Sequence, residues 1–233
     1  MWIKTPLKLR HKRQTGQTLM PKVVDHKLRY RELGKVAAFA MAELGPDKLT
    51  FAELAKRAKC SVGAVTYYVK SKDEILLMAG NYITLDAFER AAAIKTRYSG
   101  LKALRQILLG NLPCNAMQAQ MADIMFRLWS KAHENMEIRN ALHQGYQWAH
   151  HLIEQMIEEA QAAGELPYHL DPLKTARKTI AHMDGLTVLI RVSKKEPSAK
   201  EQRDYVDDWI EVLAGDPLKT PSRPKSSTRR AKA

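Results

Sequence analysis

The stretch that most constrains this chain is residues 50–76, TFAELAKRAKCSVGAVTYYVKSKDEIL. Three hydroxyl residues punctuate it: Thr50, Ser61 and Ser71. Each stands where a helix needs an N-cap. Thr50 caps a first short helix, and Glu53, three residues on, completes a capping box. Phe51, Leu54, Ala55 and Ala58 recur at helical spacing, so residues 50–58 have one apolar face that packs inward. Lys59 and Cys60 make the turn. Ser61 then caps a second short helix over 62–69, where Gly63 and Ala64 let backbone come close to a partner. Thr66, Tyr67 and Tyr68 bring hydroxyls and flat rings to its far end, and Lys70 and Lys72 follow at once. Such a pattern predicts a helix-turn-helix, two short helices at a steep angle, the second offering its N-terminal part to a major groove.

At these residues the chain resembles the TetR family of transcriptional repressors. The matching positions are Thr50, the pair Leu54-Ala55, and an ungapped run from Lys59 to Ile75 that includes Ser61, Gly63, Tyr67 and Lys72. There are two departures. Lys59 replaces the usual turn glycine, which costs roughly 1 kcal/mol if that residue is left-handed. Thr66 stands where many members carry tyrosine, so base preference there does not transfer. The resemblance implies that Thr50, Ser61, Val62, Gly63, Ala64, Thr66, Tyr67, Tyr68 and Lys72 form the DNA-binding set. Val62, Gly63, Thr66 and Tyr67 would lie near bases, and Thr50, Tyr68 and Lys72 at phosphates.

Ahead of the motif, Leu33, Ala37, Ala40 and Leu44 fall on one helical face, predicting a helix over 23–44 that Gly45-Pro46-Asp47 stops. Behind it, 71–98 reads as one long helix. Five more follow at 101–112, 116–133, 135–163, 172–192 and 199–213, and no stretch alternates long enough to make a strand. The expected fold is all-α with about nine helices. An N-terminal three-helix DNA-binding head carries the helix-turn-helix, and a helical C-terminal domain serves ligand binding and dimerisation. The expected division is a disordered basic arm at 1–22, the head at 23–83 with its motif at 50–69, the effector domain at 84–215 and a disordered basic tail at 216–233.

The net charge of +13 lies in those ends. Residues 1–31 hold nine Lys/Arg and one acid, Asp25 (+8), and 217–233 hold six and no acid (+6), leaving −1 for the rest. Basic arms of this kind track phosphates. No apolar run approaches the ~18 residues of a membrane span, and the N-terminus lacks the features of a secretory signal. Met20 is an alternative start to Met1. Two cysteines, Cys60 and Cys114, give no disulfide framework. Cys60 reads as a buried spacer. These features point to a reduced, cytoplasmic protein, and the family resemblance implies a bacterial, nucleoid-associated one.

Further along, the pattern Trp129-x-x-Ala132-x-x-Asn135-x-Glu137-x-Arg139, together with Asp171-Pro172 and Asp184-Gly185-Leu186, is loosely similar to the C-terminal domain of the betaine-responsive TetR members. It implies a helical effector and dimerisation domain without fixing the ligand. Met117, Met121, Met125, Phe126, Trp129 and His133 sit at helical spacings. With Trp148 and His182 they are the candidates for a small-molecule site, apolar with a few polar groups. Core filling is the competing explanation for each of them.

His150, His151, Glu154 and Glu158 lack a completing ligand and read as a solvated helix face, so no metal is expected. No cofactor is expected either. The chain has no nucleophile elbow, no phosphate-cradling Gly-rich loop and no His-Glu-x-x-His, so no enzyme is expected. The last two structured helices carry Ile180, Leu186, Leu189 and Ile190, then Val206, Trp209, Ile210 and Leu213. In the family the equivalent helices pair across a two-fold axis. The expected partners are therefore a double-stranded DNA operator, a small-molecule effector and a second copy of the chain, with no membrane. The alternative is a helical interaction protein whose basic tails bind RNA or an anionic membrane non-specifically.

Overall fold

The computed structural model describes residues 26–215. The arm and the tail, the first residues of the predicted 23–44 helix and the choice between Met1 and Met20 lie outside them. Among the described residues there are nine α-helices and no strand. They are α1 (His26–Leu44), α2 (Phe51–Arg57), α3 (Val62–Tyr68), α4 (Lys72–Lys95), α5 (Gly100–Gly110), α6 (Ala116–Lys131), α7 (Met136–Ala162), α8 (Pro172–Val192) and α9 (Ala199–Ala214). A 3-10 turn, Pro46–Lys48, joins α1 to α2. No described helix is long and apolar enough to cross a membrane.

The caps read from sequence set the helix starts. Thr50 accepts from the Glu53 N–H at 3.1 Å, Ser61 from Ala64 at 3.1 Å and Ser71 from Glu74 at 3.1 Å. The capping box expected at Thr50 does not close, because the Glu53 carboxylate turns to Arg57 instead. Three predicted ends move by two residues or more, that of the 101–112 helix to Gly110. The 71–98 helix stops at Lys95, because Ser99 takes an extended conformation ahead of α5. The 116–133 helix stops at Lys131. Asn135 accepts from the Glu137 and Ile138 N–H groups to start α7, and a cap cannot itself be helical. His133 therefore falls in a turn and not on the helix.

The hydrophobic interior has two parts. One gathers Leu33, Ala37, Leu54, Val65, Ile75 and Met78 from α1 to α4, and takes in Ile124 and Leu128 of α6 and Ile138 of α7. The head's core is thus shared with the body and not closed on itself. The second gathers Leu104, Leu108, Met156, Ile157, Leu186, Ile190 and Val206 from α5 and α7 to α9. Of the residues expected to pair between copies, Leu186, Ile190, Val206 and Leu213 are thus buried within the single chain, Ile180, Trp209 and Ile210 pack against the same core, and Leu189 is the exposed one. Each fully buried aliphatic side chain contributes about 1.5–3 kcal/mol. Glycine lets α1 lie close along α4: a Cβ on Gly34 would stand 2.8 Å from the Met78 carbonyl oxygen.

Lys59, in the α2–α3 turn, has φ 52° and is the one described non-glycine residue in the left-handed region. That conformation costs about 1–2 kcal/mol without glycine, and glycine gives back about 0.5–1 in unfolded-state entropy. Lys59→Gly is therefore expected to raise unfolding stability by about 0.5–1 kcal/mol. A urea titration checks this, and a lower midpoint would contradict the strain. Cys60 beside it is half-buried and packs against the head's core.

Candidate nucleic-acid interface and ligand cavity

α3 turns one side inward and leaves the other to solvent. Val65 and the following Val69 are buried, whereas Ser61, Val62 and Gly63 are exposed and Ala64 and Thr66 half-buried. Tyr67 is 68% exposed, the openness of a ring held for contact. Tyr68 is half-buried, its ring 4.5 Å from His26 and 5.2 Å from Tyr67. The Thr66 hydroxyl donates to the Gly63 carbonyl at 3.2 Å, which fixes its rotamer along the helix. Lys70 Nζ donates to the Thr66 carbonyl at the end of α3. Thr50 and Lys72 are exposed at the starts of α2 and α4, and Lys72 Nζ donates to the Asp47 carbonyl at 3.2 Å. Of the DNA-binding set expected from sequence, Thr50, Ser61, Val62, Gly63, Tyr67 and Lys72 are thus exposed, and Ala64, Thr66 and Tyr68 half-buried.

Behind that surface the head is braced. Arg57 of α2 donates to Glu43 at 2.6 Å and to Glu53 at 2.7 Å, tying α2 to α1, and these carboxylates push its pKa up. Two ion pairs run from the head to α6. Arg127 donates to both carboxylate oxygens of Asp47, each at 3.0 Å, and Lys131 meets Asp73 at 2.8 Å. The Asp47 side chain is 81% exposed, so the first pair adds little stability. The two pairs link α6 to the 3-10 turn and to the start of α4 respectively. Sequence reading missed both pairs, whose partners lie far apart in the chain.

A cavity of about 590 Å³ opens between α4, α5, α6, α7 and α8, within the size range of small-molecule sites. Met121, Met125, Trp129 and Trp148 line it, together with Met117 and Phe126. His133 and His182 do not. His133 is exposed in the turn after α6. His182 lies off the cavity-facing stripe of α8, which is Ile180, Met183, Asp184 and Thr187; its ring stacks on Trp209 of α9 at 4.3 Å and 12°.

The cavity's polar groups come from elsewhere. Tyr146 of α7 donates to Asp184 of α8 at 2.7 Å. Burial raises the pKa of Asp184, and burial together with that neighbouring carboxylate raises the pKa of Tyr146. The Trp129 indole N–H is buried and makes no hydrogen bond of acceptable geometry, although it lies near enough to Tyr146 to temper the rise there. Phe88 of α4 stacks on Trp148, ring centroids 3.5 Å apart. Asp184 was visible in sequence only within a family pattern, and nothing local marks Tyr146 or Phe88. The histidines once weighed as ligands do other things: His150 stacks on Tyr146, and His151 lies 3.7 Å from Glu154. No group of three metal-ligating side chains occurs among the described residues.

The family model for bacterial regulatory proteins of the tetR family matches residues 35–79, and that for the BetI-type transcriptional repressor C-terminal domain matches 101–215. The HTH-type transcriptional regulator PksA of Bacillus subtilis is 25% identical over 171 residues, 72% of this chain and 82% of that protein. A TetR-family transcriptional regulator from Rhodococcus sp. superposes with a TM-score of 0.68 at 26% identity, over 81% of this chain and 99% of that one. A transcriptional regulator from Saccharomonospora viridis, solved in complex with choline, has the same fold, with a TM-score of 0.68 at 22% identity over 80% and 97%. With both halves matched by models of one family, in the order head then body, this chain belongs to the TetR family of bacterial transcriptional regulators.

Proposed function

We propose that this protein is a ligand-released repressor of the bacterial cytoplasm that reads a palindromic operator as a homodimer. The observation that carries the reading is the outward side of α3, where Val62, Gly63 and Tyr67 stand open to solvent beside the capped start at Ser61, with Thr66 half-buried between them. A short helix presented this way fits a major groove. Thr50, Tyr68 and Lys72 flank it as phosphate contacts. At Lys72 the N-terminus of α4 adds its own positive end. Two such heads would engage half-sites about one helical turn apart, or a multiple of it.

The cavity supports the second half of the reading. α6 lines it with Met121, Met125 and Trp129, and the same helix holds the head through Arg127 and Lys131. A ligand that favours one setting of α6 over another would change the spacing of the two heads, to the extent that it binds the two settings with different affinity. The choline held by a regulator of the same fold supports a small-molecule occupant here.

A gel shift with the DNA upstream of the protein's own gene tests the reading. A specific, salt-sensitive retarded band is expected, and its absence counts against the proposal. Lys72→Ala is expected to weaken binding to all sequences alike and to flatten the log–log salt dependence by about 0.9, one phosphate's worth. An unchanged slope would remove Lys72 from the contacts.

A further inference from the structure

We infer that the cavity takes an organic cation with an apolar body, its charge set against the Asp184 carboxylate and a hydrogen-bond acceptor on it meeting the Trp129 indole N–H. The inference rests on the reading of this cavity as the effector site, and names the chemistry of its occupant.

Charge comes first. The ionisable acids and bases on the cavity wall are Asp86, Arg90 and Asp184. Asp86 and Arg90 pair with each other one turn apart on α4. Asp184 is left without a cation; among the described residues its hydrogen-bond donor is the neutral Tyr146 hydroxyl. An ionised carboxylate offers about four acceptor positions, so one hydrogen bond leaves most of it unmet. Burial disfavours that charge, as its raised pKa records. His150, stacked on Tyr146, supplies no positive charge, because burial and the neighbouring Arg177 hold it towards its neutral form. A bound cation settles this imbalance, whereas an anion would be placed beside an unpaired acid and a neutral ligand would leave the acid as it is.

The walls suit the same ligand. Phe88 stacked on Trp148, and Phe126 with its ring 5.2 Å from Trp129, offer π-faces that attract an ammonium. The Trp129 N–H is a buried donor beside the Tyr146 hydroxyl that makes no well-formed hydrogen bond, so it is available to an acceptor on the ligand. The volume of about 590 Å³ exceeds what an ammonium head fills, and the methionines of α6 accept an apolar body of irregular shape.

The test uses a matched pair of probes on the full-length protein: benzoylcholine and its uncharged carbon isostere, 3,3-dimethylbutyl benzoate. Binding is followed by tryptophan fluorescence and by calorimetry. The wild type is expected to bind the cation about 10-fold or more tighter than the isostere. Asp184→Asn keeps the Tyr146 hydrogen bond and should abolish that preference, lowering affinity for the cation and leaving the isostere unchanged. Retained isostere binding also shows that the variant is folded. Trp129→Phe should weaken both probes, since both carry the ester carbonyl. Equal affinities in the wild type, no effect of Asp184→Asn, or failure to bind either probe would overturn the inference. DNA release is measured in parallel. Charge-selective binding without release upholds the ligand class and overturns the effector reading. Charge-blind binding that releases DNA does the reverse.

Discussion

Leu189→Glu is expected to convert the protein to a monomer and to lower operator affinity by about 100-fold or more. Leu189 is 64% exposed and its neighbour Val192 69%, on an α8 that buries Leu186 and Ile190 in the second core. Val188 of α8 and Tyr205 and Val212 of α9 add further exposed apolar surface. In a two-fold contact each residue appears twice, so one substitution sets two carboxylates against an apolar patch from which water has been removed. Because Leu189 is exposed in the single chain, the folded monomer should lose no more than about 0.5 kcal/mol of stability. A thermal melt separates loss of assembly from loss of fold. The DNA effect follows from linkage: once one head is bound, the second is held at high effective concentration, and the monomer forfeits that gain. Sedimentation velocity and an operator titration check both parts. A variant that remains a dimer with full operator affinity would place the pairing surface elsewhere.

How far the sequence could be read depends on how local each feature is. Caps and helical faces are written within a few residues, so Thr50, Ser61 and Ser71 fix the starts of α2, α3 and α4, and α3's exposed side follows from its spacing. The left-handed Lys59 was legible only through the family resemblance, which sets a glycine at that turn position. The cavity was half legible. Met117, Met121, Met125 and Trp129 share a stripe along one helix, so periodicity finds them. Extending the stripe one turn, to His133, failed because α6 ends at Lys131, two residues short of it. His182 failed because α8 packs against two partners, α7 and α9, and sequence does not say which side faces which. Tyr146 and Asp184 meet only after α7 and α8 have packed, and Arg127 reaches Asp47 across 80 residues. These are products of tertiary packing with no shorter signature.

Leu128→Ala is expected to cost about 2–5 kcal/mol of unfolding stability. Leu128 is 1% exposed and packs against α4 where glycine brings the helices close, since a Cβ on Gly80 would overlap the Leu128 side chain. Truncating it opens a hole in the core that α6 shares with the head. The two positions should couple strongly. Gly80→Ala alone gains about 1 kcal/mol of helix propensity but forces the leucine aside, at a cost of about 1–3 kcal/mol. In the Leu128→Ala background the clash is gone, the propensity gain remains and the new methyl fills part of the hole. Gly80→Ala should therefore be neutral or destabilising in the wild type and stabilising in the variant, a non-additivity of about 1–3 kcal/mol in a double-mutant cycle. Denaturant titrations of the four proteins measure it, and additive effects would mean that the helices do not meet here. The consequence reaches function because of what α6 carries. Met121, Met125 and Trp129 face the cavity, while Ile124 and Leu128, on the adjoining stripe, sit in the head's core. A ligand can move the head through α6 only if that seat is tight. The variant with the hole should thus still bind ligand in the cavity, yet release DNA over a smaller range of affinity than the wild type, and the double variant should recover part of that range.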